Sequence, residues 1–131
     1  MSTKKIVQPQ NAPAPLGPYS HAVRAGDFLF CSGQIPLDPS NPAQILSEMS
    51  IAAQTEQVMR NIHNLLEHEH LTWANVVKTT VFLTNLADFA VLNKVYGRFF
   101  QKDAPARSTV QVAALPKGAS VEIEVVAFYG K

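Results

Sequence analysis

The sequence predicts an α+β fold in which two helices pack on one face of a mixed sheet. Extended runs cluster at both ends of the chain. Two stretches of helical periodicity lie between them, and a strand-like alternation separates the two. The strands are too few for a doubly wound parallel sheet. Two helices cover only one face of such a sheet, so the other must meet solvent or another subunit.

The elements follow in order. PQNAPAPLGP holds four of the nine prolines and reads as an extended loop, because each proline lacks a ladder donor and restrains the residue before it. In YSHAVRAGDFLFCSGQIPLD, two extended runs flank AGD, a hairpin turn in which Gly26 supplies the positive φ. Gly33 and Pro36 close the second run, and DPSNPAQ is a turn-rich loop. From Ser50 to about Leu71 the period becomes helical. Ser50 is the N-cap, and Ile51, Val58, Ile62, Leu65 and Leu66 form one stripe. Glu56 and Arg60 sit four apart on a more polar face. A loop or short turn at LTWAN leads into a strand with Val77, Thr79, Val81 and Leu83 on one face. Asp88 caps a second helix with Phe89, Leu92, Tyr96 and Phe99 as its buried stripe, and Gly97 weakens that helix without ending it. KDAPA breaks the chain, and RSTVQVAAL and SVEIEVVAFYG form the last two strands, joined through PKGA.

Composition narrows the function. At 131 residues the chain makes one domain, with enough apolar residues for a core without disulfides. A single cysteine, Cys31, excludes an internal disulfide and a Cys-based zinc motif; with no signal peptide visible, a reducing cytoplasm is expected. No apolar run approaches the ~18 residues of a membrane helix. The net charge of +1 is scattered, which argues against nucleic acid as a partner. The charged fraction, 16%, is low beside the ~25% of ordinary domains, which suggests apolar surface hidden against copies of the same chain.

The candidate chemistry lies near the end of the chain. In PARSTV, Arg107 stands among small, apolar and hydroxyl residues; the nearest preceding carboxylate is Asp103 and the next is Glu122. A buried guanidinium is costly without a partner. On residues alone, a surface charge or a structural ion pair to Glu122 or Glu124 outweighs a ligand role. The ligand reading rests on the planar fork, which matches a carboxylate with two parallel hydrogen bonds. Glu122 and Glu124 share a strand face. Alternation alone makes that face solvated, but Val126 and Phe128 lie farther along it, so a glutamate there can gain a raised pKa and serve in acid–base work. His63, Glu67 and His70 share a helical face with acceptable zinc ligands, but the set lacks a fourth ligand and lies near a helix end, where histidines interact with the last carbonyls. Cys31 reads as a buried, inert thiol. Phosphate-cradle spacings and a nucleophile elbow are absent.

Taken together, GPYSHAV, FCSGQIPLDP, VVKTTVFLTNLADFAVLNKVYGRFF and PARSTVQVAALPKGASVEIEVVA resemble the Rid family, the reactive-intermediate imine/enamine deaminases. The resemblance runs from about Ala12 to Phe128 in the family's order and spacing. It implies a single chorismate-mutase-like domain over residues 1–131, assembled as a homotrimer with clefts between neighbouring subunits. It implies hydrolysis of 2-imino acids, or their enamine tautomers, to 2-keto acids and ammonia, with no cofactor and no metal. By position it implies that Arg107 binds the substrate carboxylate, Glu122 orients water and Tyr19 closes the pocket. Ser32, Asn93 and Thr109 shape the site. Some members carry cysteine where this chain has Thr109, so a thiol role there is closed, although the backbone carbonyl can still hold water. Two other readings stay open: a module that binds a small carboxylate without turnover, and a ribonuclease or translation inhibitor.

Overall fold

The computed structural model describes residues 4–130. Six strands form one sheet: β1 (Lys4–Val7), β2 (Ala22–Ala25), β3 (Phe28–Gln34), β4 (Val76–Leu83), β5 (Ala106–Gln111) and β6 (Val121–Phe128). Their spatial order is β1-β2-β3-β6-β4-β5. Every neighbouring pair is antiparallel except β4 and β5, which are parallel. Helices α1 (Ile51–His68) and α2 (Phe89–Tyr96) contribute to one core against one sheet face, as the sequence predicts.

That face is built by alternation. Val121, Ile123, Val125 and Ala127 of β6 are buried and meet Val81 and Leu83 of β4, Leu29 and Cys31 of β3, and the α1 stripe of Val58, Ile62, Leu65 and Leu66. Ser50 caps α1 as expected, its hydroxyl accepting from the Ala53 N–H at 3.1 Å. Gly26 turns the β2–β3 hairpin at φ +60°. The opposite face carries Phe28 and Phe30 of β3, aligned with Phe128 and Val126 of β6, together with Glu122, Glu124, Phe82 and Val110. No helix among the described residues covers it, and Phe28, Phe30 and Val110 stay exposed.

Four sequence expectations fail for local reasons. Val77 is exposed and Val76 buried, because a register shift between Val76 and Lys78 inverts the start of β4. Gly97 ends α2 as its C-cap; beyond it the chain tightens into i→i+3 bonds, Arg98 to Val95 and Phe99 to Tyr96. Asp88 makes no side-chain cap, and Asn85 instead accepts from the Ala87 N–H at 2.9 Å. Phe89 is exposed rather than part of the buried stripe. β1 was not predicted: it is only the four residues Lys4–Val7, and it forms as an edge on β2.

Candidate active site

The six residues that the sequence singles out fall into two groups on opposite faces of the sheet. Tyr19, Ser32 and Glu122 line one cleft of about 550 Å³ on the open face, with Leu16, Gly33, Pro116 and Glu124. Arg107, Asn93 and Thr109 belong to the helix side. Register fixes this division. Arg107 aligns with Thr79 of β4, which is buried toward the helices, whereas Glu122 aligns with Phe82, one position out of phase. β4 also separates β5 from β6, so the two strands joined by the PKGA turn are not neighbours in space.

In the open-face group, the loop before β2 is tied down before it reaches the cleft. The Ser32 hydroxyl donates to the Ser20 carbonyl at 2.6 Å, and the Ser32 N–H donates to the His21 carbonyl at 2.8 Å. The His21 N–H donates to Gln8 Oε1 at 2.9 Å, and its ring Nε2 contacts the Pro13 carbonyl. These contacts set Tyr19, whose hydroxyl accepts from the Leu16 N–H at 3.0 Å. Ser32 therefore orders the loop that carries Tyr19, and its own proton is already engaged.

Glu122 lies against Gly33. A Cβ at Gly33 would come within 2.8 Å of the Glu122 carboxyl carbon, so the close approach requires glycine. Burial pushes the Glu122 pKa above the ordinary carboxylate value, and the neighbouring Glu124 adds to the effect. Among the described residues no ion pair neutralises Glu122.

In the helix-side group, Arg107 forms no ion pair with any described carboxylate. Neither Glu122 nor Glu124 neutralises it. Its guanidinium carbon sits over the Tyr96 ring at 4.8 Å and the Phe89 ring at 5.4 Å. Asn93 Oδ1 and Thr109 Oγ1 are buried without a hydrogen-bond partner among the described residues. The unpaired guanidinium suits a small anion, to which the Thr109 hydroxyl can also donate, whereas Asn93 Oδ1 accepts and so suits an N–H or O–H of the same ligand.

The remaining candidates lead elsewhere. His63 and Glu67 approach at 3.8 Å, while His70 lies past the end of α1 at φ 60°. No cluster of three or more metal-ligating side chains occurs among the described residues. Cys31 is buried, and its pKa rises to about 12, chiefly through desolvation. No helix among the described residues is long and apolar enough to cross a membrane. Sequence reasoning missed Gly33 as the seat of Glu122, and Phe89 and Tyr96 as the seat of Arg107. The SGQ motif and the proximity of α2 to PARSTV in sequence were the available signals.

Fold and site together define a small α+β domain that presents an arginine without an ion pair among the described residues on one sheet face and a carboxyl of raised proton affinity on the other. The sequence pattern of the endoribonuclease L-PSP family, which includes the Rid proteins, matches residues 9–129, and the chain belongs to that family. It is 49% identical over 126 residues to a RutC family protein of Synechocystis, spanning 95% of this chain and 96% of that one. It is 39% identical over 127 residues to the mouse 2-iminobutanoate/2-iminopropanoate deaminase, spanning 97% and 93%. Its fold matches the crystal structure of E. coli TdcF with bound serine at a TM-score of 0.89, with 39% identity, 96% of this chain and 99% of that one.

Proposed function

We propose that this chain hydrolyses short-lived 2-imino acids, formed by tautomerisation of enamines such as 2-aminoacrylate, to 2-keto acids and ammonia. The observation that carries this reading is the unpaired Arg107. Its charge is held over two aromatic rings and not neutralised, leaving the guanidinium fork for a ligand carboxylate. The imine carbon is already electrophilic, so no strong nucleophile must be generated. Arg107 anchors and orients the substrate, with Asn93 and Thr109 offering polar contacts beside it. Glu122, with its raised pKa, accepts a proton from the attacking water as the C–O bond forms at C2. It returns that proton to the nitrogen, giving a carbinolamine; Glu122 then takes the proton of the new hydroxyl and delivers it to the amine as the C–N bond breaks, so that ammonia leaves and the keto group forms. Tyr19, on the loop tied by Ser32, closes the cleft. No step calls for a cofactor or metal.

Because Arg107 and Glu122 lie on opposite faces of one sheet, a complete site takes Arg107 from one subunit and Glu122 from its neighbour. A homotrimer with its open faces turned inward meets that need and covers Phe28, Phe30 and Val110. The direct test couples a threonine dehydratase to this protein and follows 2-ketobutyrate. Release is expected to accelerate with protein concentration; no acceleration over buffer ends the proposal. Calorimetric binding of 2-ketobutyrate without turnover would instead select the regulatory module. The family's endoribonuclease description makes RNA cleavage the second control, with Arg107→Ala deciding whether any cleavage belongs to this site. A mixing experiment tests the shared site. Arg107→Ala and Glu122→Gln homo-oligomers are each expected to be inactive, and unfolding and refolding them together restores about a quarter of the activity by random assembly. A mixture that stays inactive, despite forming mixed oligomers, places both residues in one chain's site and refutes the sharing.

A further inference from the structure

We infer that Tyr96, assisted by Phe89, is a positioning residue that holds the Arg107 guanidinium for an incoming carboxylate without neutralising it. The inference deepens the proposed function and rests on Arg107 being the carboxylate anchor. A long arginine side chain loses much rotamer freedom when it is fixed in one geometry. The usual fixing partner is a carboxylate, which would also occupy the donors that the ligand needs. Among the described residues Arg107 has no such partner. It has instead a ring 4.8 Å away on Tyr96 and a second ring 5.4 Å away on Phe89. An aromatic face attracts the cation through its quadrupole and leaves the N–H groups unconsumed.

The Tyr96 ring is itself immobilised. Its hydroxyl shares a 2.8 Å hydrogen bond with Thr79, its ring packs 4.8 Å from Phe100, and the residue is 6% exposed. Thr79 is the β4 residue aligned with Arg107 in the parallel pair, so the same register that positions Arg107 also pins the ring beneath it. α2 therefore supplies both rings and Asn93, whose unsatisfied Oδ1 belongs to the same side.

The test is calorimetric titration with 2-ketobutyrate, paired with the coupled kinetic assay, on Tyr96→Leu, Tyr96→Phe, Phe89→Leu and Arg107→Ala. Removing either ring is expected to weaken binding roughly 3- to 30-fold and to raise KM with kcat largely kept. Tyr96→Phe keeps the ring and is expected to bind within about twofold of the unaltered protein, even if it melts earlier for want of the Thr79 bond. A purely structural role for Tyr96 predicts instead that the phenylalanine variant weakens binding as much as the leucine variant, and that result overturns the inference. So does binding within about twofold in both ring-deleting variants. If Tyr96→Leu does not fold, Phe89→Leu decides by the same threshold, since Phe89 is exposed and its loss leaves the core intact. Undiminished binding by Arg107→Ala would remove the anchor reading itself. Lost binding in Arg107→Ala with full binding in the ring variants would remove this inference alone.

Discussion

Gly33→Ala separates the position of Glu122 from the stability of the fold. Gly33 does not occupy the left-handed region, so alanine brings no backbone strain there, and restricting the unfolded chain favours folding by about 0.4–1 kcal/mol. The steric demand falls on one neighbour. The new Cβ would lie 2.8 Å from the Glu122 carboxyl carbon and 3.0 Å from its Cγ, where an ordinary contact begins at 3.4 Å. Glu122 Oε2 would lie closer still, so the carboxyl must retreat by more than about 0.6 Å, and a flexible side chain can do so without moving the strand. A misplacement near 1 Å costs on the order of 100-fold in rate, so the expected loss of turnover is about 10- to 100-fold. The assay is dehydratase-coupled 2-ketobutyrate release, read beside thermal melting. The expected result is lost activity with a melting temperature little changed. Activity within about twofold of the unaltered protein, with melting unchanged, would show that the seat of Glu122 on Gly33 is irrelevant to turnover.

Arg107→Lys is expected to lose at least about tenfold in kcat/KM for a short 2-imino acid, because an ammonium point charge cannot replace the fork; equal activity refutes bidentate anchoring. Glu122→Gln is expected to abolish turnover and to raise the melting temperature at neutral pH. The folded state raises the Glu122 pKa, so ionising it costs stability, and that cost accrues as pH rises through the raised value. The gain from glutamine should therefore vanish below about pH 4, and a melting series across pH checks the sign. In the unaltered protein, the acid limb of the kcat/KM profile should lie above the ordinary carboxylate range. Cys31, with its pKa near 12, should resist an aromatic disulfide reagent at pH 8 until the chain unfolds; rapid labelling of folded protein refutes its burial.

Much of the fold was legible because its signals are local. The α1 stripe repeats with helical period, Ser50 offers a hydroxyl where the first turn needs an acceptor, and Gly26 marks the hairpin. The failures share a different cause. Val76 replaces Val77 in the core through a bulge, and a bulge depends on the pairing partner rather than on the strand's own sequence. β1 draws its stability from β2, and its own residues say little. Phe89 fits the apolar period of α2, yet it lies exposed under the side chain of a strand from later in the sequence.

The site was less legible because strands adjacent in sequence are not adjacent in this sheet. Reading PARSTV and VEIE together suggests a local Arg–Glu pair. The sheet order instead inserts β4 between them, and the register puts the two side chains out of phase. A one-residue change of phase reverses the face of a side chain, so no intrachain adjustment short of re-registering a strand brings Arg107 to Glu122. The same separation explains how both groups keep unusual states. Among the described residues, Arg107 stays without a carboxylate, and Glu122 stays without a cation to lower its pKa. Had they shared a face, the ion pair favoured by the bare sequence would have quenched the guanidinium and depressed the carboxyl. The exposed Phe28, Phe30 and Val110 add a second demand on the same open face as Glu122. A neighbouring copy that brought its Arg107 edge over that face, as proposed above, would answer both demands at once.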